Sequence, residues 1–166
     1  MDSSTAPAQR DTTSFISTSA LLDHWQGHRR LTRRVIEAFP DDKLFTYSIG
    51  GMRPFSAFVM EFLNMAVPIA RGVATGKWGK WGEEGAPTTK GELLARWDAA
   101  TEDLNQIWPT ITPERFQEEH TAFGQWTGKG YWQILYAIDN EIHHRAQGYV
   151  YLRSLGIEPP AFYDRG

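Results

Sequence analysis

Apolar residues recur at helical spacing in four long stretches of this chain, and residues that cap or stop helices bound those stretches. Such a pattern predicts a helical bundle. The first stretch runs from about Ser19 to Phe39, opening after Ser17-Thr18-Ser19 and stopped by Pro40, with Leu21, Leu22, Trp25, Leu31, Val35 and Ile36 as its buried side. A loop of Asp, Lys, Tyr and Gly follows. The second, about Pro54 to Ala74, starts with proline in the permitted first turn and contains Pro68, which removes one backbone bond and bends the helix. The third, about Lys90 to Trp108, follows the capping box Thr89-Lys90-Gly91-Glu92 and ends at Pro109. The fourth, about Lys129 to Leu155, is closed by Gly156 with Pro159-Pro160 beyond. Thr112 to Ala122 reads as a short extra helix and Phe123 to Trp126 as a brief extended piece. The expected fold is therefore an all-α four-helix bundle with a long connection between helices. Residues 17–166 would form one domain behind a loose lead-in, residues 1–16.

A chain of 166 residues can bury enough surface to stand without staples. It has no cysteine, which excludes disulfides, thiolate metal sites and a cysteine nucleophile and agrees with a reducing, cytoplasmic setting. Any metal here must use nitrogen and oxygen ligands. With 17 basic against 20 acidic residues the charge is mixed, so no footprint for nucleic acid or an anionic membrane stands out. The residues from Met1 to Thr13 have no apolar signal core, and the run from Phe55 to Ala70 is interrupted by Glu61, Asn64 and Pro68, so no membrane association is expected. Seven Trp, six Tyr and nine Phe supply rings for a core, a pocket or a subunit contact.

Asp139 to Gln147 packs two acids, two imidazoles, two amides and a guanidinium into one part of the last helix. Asn140 and His144, four residues apart, project from one strip. On a helical wheel, Tyr131, Ile134, Leu135, Ile138, Ile142, Tyr149 and Leu152 share an arc of about 120°, the expected core face. Asn140 and His144 sit on its shoulder with Gln133, Ala137, Glu141, Gly148 and Tyr151. The remaining side, with Trp132, Tyr136, Asp139, His143 and Val150, predicts a homodimer contact. In the second helix Glu61 is the one acid of an apolar run, and an ionised carboxylate there needs solvent, a cation or hydrogen-bond donors.

The run Asn140-Glu141-Ile142-His143-His144-Arg145-Ala146-Gln147, followed by Tyr151-Leu152-Arg153-Ser154-Leu155-Gly156, resembles the closing helix of the DinB-like family of damage-inducible bacterial proteins. That family carries a His-x-x-x-His-Arg-Gly-Gln pattern with two metal ligands on the last helix and a third histidine in the second. By position His144 matches one ligand, Asn140 stands in the place of another and Glu61 in the place of the second-helix histidine. The resemblance implies a stress-related, divalent-metal-dependent enzyme, a thiol-dependent S-transferase or related hydrolase or isomerase, with zinc, nickel or manganese on Glu61, Asn140 and His144. Its partners would be a low-molecular-weight thiol and a small electrophile, with Glu141 or Tyr151 orienting the thiol. The alternative is a non-catalytic binding or structural bundle in which the three side chains hydrogen-bond to one another.

Other constellations compete with this one. His24 and His28 have the spacing of a metal pair, but Arg29, Arg30, Arg33 and Arg34 follow them, and a solvated helix face is the expectation. His120, beside Glu118 and Glu119, is expected at the surface with raised proton affinity. Asp41-Asp42 and Glu83-Glu84 read as solvated loop acids. The Trp78-Trp81 loop is either a lid or a surface loop pinned by its rings, and pinning is the commoner case. No serine or threonine has a visible activating partner.

Overall fold

The computed structural model describes residues 16–82 and 85–166. The Glu83-Glu84 pair and all of the lead-in except Ile16 lie outside these residues. Four long helices dominate: α1 (Thr18–Ala38), α3 (Phe55–Thr75), α4 (Lys90–Ile107) and α6 (Gly130–Ser154). Two short ones, α2 (Asp41–Leu44) and α5 (Pro113–Gln117), sit in the connections. α4 and α6 each pack against both α1 and α3, which closes the four rods into a bundle.

The helix ends follow the capping chemistry. The Ser17 hydroxyl accepts from the Ala20 amide, and Thr89 and Glu92 form a reciprocal capping box. Gly76 ends α3 in the left-handed conformation, at φ 75°. α3 is long and apolar enough to cross a membrane, yet its apolar residues are packed against α4 and α6 as the central core helix.

Two departures lie in the connections. The loop after the first helix contains α2. The segment read as a helix through Ala122 stops at Gln117, and Glu119–Ala122 (β1) pairs antiparallel with Trp126–Lys129 (β2). Phe123 and Gly124 turn the hairpin with positive φ, so Phe123 is turn rather than extended chain. One short local ladder costs little entropy to close and leaves few sequence signals beyond β-branched Thr121 and Thr127, whose hydroxyls meet across the pair at 2.9 Å.

The core face of α6 is rotated from the expected one. Ile134, Ile138 and Leu152 are buried, but Tyr131 and Leu135 are exposed, and Gln133, Ala137, Glu141, Gly148 and Tyr151 take the inward positions instead. A polar layer causes the rotation. One apolar cluster, around Trp25, Ile69, Leu104 and Ile138, is separated from another, around Ile36, Phe55, Trp97 and Leu152, by buried His28, Arg29, Thr32, Glu141 and Arg145. The expectation of a solvated His28 and Arg29 is therefore corrected, while His24 is exposed.

Arg29 is stacked on Trp97, 3.9 Å from the ring centroid, and donates to Thr101 Oγ1 and the Trp97 carbonyl. Arg145 donates to the His28 carbonyl and Nδ1 and to Thr32 Oγ1. Because Nδ1 accepts, His28 is neutral. Burial first, then Arg145, Arg165 and His24, push its pKa down to about 3.

Candidate functional site

Glu61, Asn140 and His144 meet where the middle of α3 crosses α6. Asn140 Nδ2 donates to Glu61 Oε1 at 2.9 Å, and His144 Nε2 faces the same oxygen at 3.4 Å. Arg53, in the loop before α3, donates to Glu61 Oε2 at 2.6 Å and lays its guanidinium 4.7 Å from the Phe58 ring centroid. The His144 ring stacks flat on Phe58, centroids 4.5 Å apart. Its Nδ1 lies 2.6 Å from Gln147 Oε1, and Gln147 Nε2 turns toward Met52 Sδ. Since a carboxamide oxygen only accepts, Nδ1 carries the hydrogen and Nε2 is the nitrogen presented to Glu61. Burial tends to push the Glu61 carboxyl up, but the Asn140 amide and the Arg53 guanidinium prevail and hold it below the usual carboxylate range. Glu61 is thus the ionised centre of the group.

The three residues singled out in the sequence come together, and Arg53 and Gln147 join them. Arg53 left a faint signal: a cation just before the helix that carries a lone acid. Glu141 and Tyr151, the candidates for orienting a thiol, do not line the cleft: Glu141 lies on another side of α6, and Tyr151 is buried beside Phe58 and Arg53. Glu141 is 1% exposed and turned toward α1, where it accepts from Thr32 Oγ1 at 2.5 Å and Trp25 Nε1 at 3.4 Å and lies 3.7 Å from Arg145. The Tyr151 hydroxyl donates to the Arg53 carbonyl at 2.9 Å.

A cleft of about 240 Å³ opens beside Glu61, between α3, the hairpin and α6. Trp81, Phe123, Trp126, Trp132 and Tyr136 supply its rings, with Gln133 and Glu61 as polar groups. Trp81 meets Phe123 and Trp126 edge-on, at 5.1 and 6.0 Å between centroids. Trp78, on the same loop, packs on Phe123, His120 and Gly72. A Cβ at Gly72 would fall 2.5 Å from the indole, so the loop is pinned where only glycine leaves room. His120 is buried, with Nε2 donating to the Arg115 carbonyl at 3.1 Å, which corrects its expected surface position. Trp78 covers the edge of its ring.

The profile of the DinB family matches residues 82–166, which span α4, the hairpin and α6. The chain belongs to the DinB family. Among solved structures, this DinB protein is similar to a DinB-like protein from Bacillus subtilis at 21% identity and a TM-score of 0.67, covering 86% of this chain and 96% of that one. A DinB-like protein from Bacillus cereus gives 18% identity and a TM-score of 0.66, with 87% and 97% covered. At these identities the likeness is one of fold. A comparison with curated proteins finds no match.

A divalent ion on Glu61, Asn140 and His144 has two features in its favour. The Gln147 contact fixes the ring nitrogens as ligating histidines have them fixed, and Asn140 Oδ1 is buried without a partner. The charges oppose it. Arg53 already gives Glu61 its positive partner, and Oε1 accepts from the Asn140 amide, so an ion would have to displace an N–H donor beside a guanidinium. Among the described residues no three His, Asp or Glu side chains are arranged to hold an ion. The side chains as packed do not fit a resident metal.

Proposed function

We propose that this DinB protein binds a small organic molecule in the aromatic cleft, which Glu61 lines as a carboxylate backed by a metal-free network of Arg53, Asn140 and His144. The observation that carries this reading is the state of Glu61, whose two carboxylate oxygens are both held by protein donors while the carboxylate lines the cleft. A carboxylate held in this way needs no metal ion to keep its place. It can still accept hydrogen bonds from a ligand through the remaining lone pairs of the carboxylate. The mostly apolar walls with few polar groups match the general make-up of small-molecule sites. Thiol transfer, as the family resemblance implies, would call for a Lewis acid that these donors do not suit.

Metal analysis tests the reading. Protein purified without chelator is expected to carry less than about a tenth of an equivalent of zinc, nickel or manganese, and none of these should raise the melting temperature, as binding to the native state would require. A stoichiometric ion that disappears in His144→Ala would overturn the proposal and establish the metal-dependent alternative.

A further inference from the structure

Five aromatic side chains around one small cleft are unusual in a surface position. Trp81, Trp126, Trp132 and Tyr136 are 40 to 50% exposed, so their rings are not explained by burial in the core. Their arrangement forms walls. Phe123 and Trp126 stand at 81° to one another and Trp81 at 87° to Phe123, while Trp132 and Tyr136 stack at 22° along α6. Rings set edge to face and half exposed leave part of their π faces uncovered, and an uncovered π face attracts a cation.

The polar lining has the same sign. Glu61 is the single formally charged group among the described residues that line the cleft. Arg53 pairs with Oε2 of Glu61 from outside the lining and is itself half exposed, so the charge it sets against a second cation is partly screened. Gln133 donates one of its amide hydrogens to the Trp126 carbonyl, and its oxygen remains an acceptor. No lysine or arginine stands among those lining residues. An anion would find no cation among the lining residues, and a neutral apolar molecule would leave the carboxylate unused.

We propose that the cleft between the hairpin and α6 binds an organic ammonium ion, an alkylated amine whose charged head rests against the rings of Trp81, Phe123 and Trp126 with Glu61 as its counter-ion. The volume, about 240 Å³, exceeds the roughly 150 Å³ that admits benzene, so the cleft takes a ligand of roughly ten non-hydrogen atoms. The inference rests on the metal-free reading of Glu61, because a divalent ion there would reverse the sign of the floor.

Calorimetric titration of the full chain with choline and with its neutral isostere 3,3-dimethyl-1-butanol isolates the charge at constant shape. Choline is expected to bind at one site at least about ten-fold more tightly than the alcohol, the range of a desolvated cation–π contact. Glu61→Gln should weaken choline alone. Trp126→Leu should abolish the preference and Trp126→Phe should keep most of it, and the exposure of Trp126 allows both variants to fold. Equal affinity for the two probes, or no saturable binding of choline, overturns the ammonium proposal. Either outcome is separable from failure of the metal-free reading, which metal content in the same preparation reports independently.

Discussion

Acid should weaken this bundle well above the range in which carboxylates titrate, because His28 is buried as a neutral acceptor. Its Nδ1 takes a hydrogen bond from Arg145 Nη2 at 2.9 Å, and a proton on that nitrogen would break the bond and set two cations together. The pKa falls from 6.5 to about 3 on folding. Between these values the unfolded chain binds a proton that the native state refuses, so stability is highest above pH 6.5 and declines as pH falls. Each pH unit inside this window is worth about 1.4 kcal/mol, so lowering pH from 6.5 to about 4.5 at constant temperature should remove about 2 to 3 kcal/mol. With a typical urea dependence for a domain this size, that moves the midpoint by roughly 1 M. Urea melts followed by circular dichroism at closely spaced pH values would measure it. The control is His28→Asn, whose side-chain oxygen can accept from Arg145 and does not titrate. His24, His120, His143 and His144 are common to both proteins, so the difference between the two pH profiles belongs to His28. Parallel profiles between pH 6.5 and 4.5 would refute the neutral, acceptor state of this ring.

Two further perturbations test the packing around the site. Glu141→Leu removes the carboxylate facing Arg145 and should cost about 3 to 5 kcal/mol, because a buried cation is left without its anion. Adding Arg145→Met should return about 1 to 3 kcal/mol of that loss, since Arg29 still has Trp97 and Thr101; strictly additive effects in thermal or urea melts would show the two charges to be uncoupled. Gly130→Ala places a Cβ 2.4 Å from the Arg115 carbonyl oxygen and should lower stability by about 1 to 3 kcal/mol, whereas Gly91→Ala, with open space around it, should raise stability by up to about 1 kcal/mol in the same assay.

The helices were legible because their signals are local. Pro40, Pro109 and Gly156, the capping box at Thr89 and the apolar spacing each act within a few residues, and the observed boundaries differ from the expected ones by a residue or so. The hairpin was hidden because its pairing depends on Phe123 taking a positive φ, which nothing in that side chain favours. His28 and Arg29 of the polar layer were misread as solvated surface for a different reason. His28, Arg29 and Thr32 continue the inward phase of Trp25, Val35 and Ile36 along α1, so their position was visible, but charge suggested water. Only the matching charges on α6 make burial tolerable there, and a pairing of residues more than a hundred positions apart leaves no local trace.

The polar segment from Asp139 to Gln147 shows why one concentration of functional groups can mislead about the number of sites. Asn140 and His144 form one pair at four-residue spacing, and Glu141 and Arg145 form a second pair displaced by one position, about 100° around the helix. The first pair meets Glu61 on α3 and backs the carboxylate that lines the cleft. The second turns to α1 and is sealed in the core with Thr32, Trp25 and His28. A single helix in contact with both neighbours therefore carries a ligand-facing and a buried network on different sides. The buried one fixes the rotation of α6, and that rotation in turn aims Asn140 and His144 at Glu61. It also carries Trp132 and Tyr136 outward, where they wall the cleft. The core charges thus set the geometry of the site without touching it. Their replacement by apolar residues of similar volume can restore stability yet leave Asn140 free to drift from Glu61.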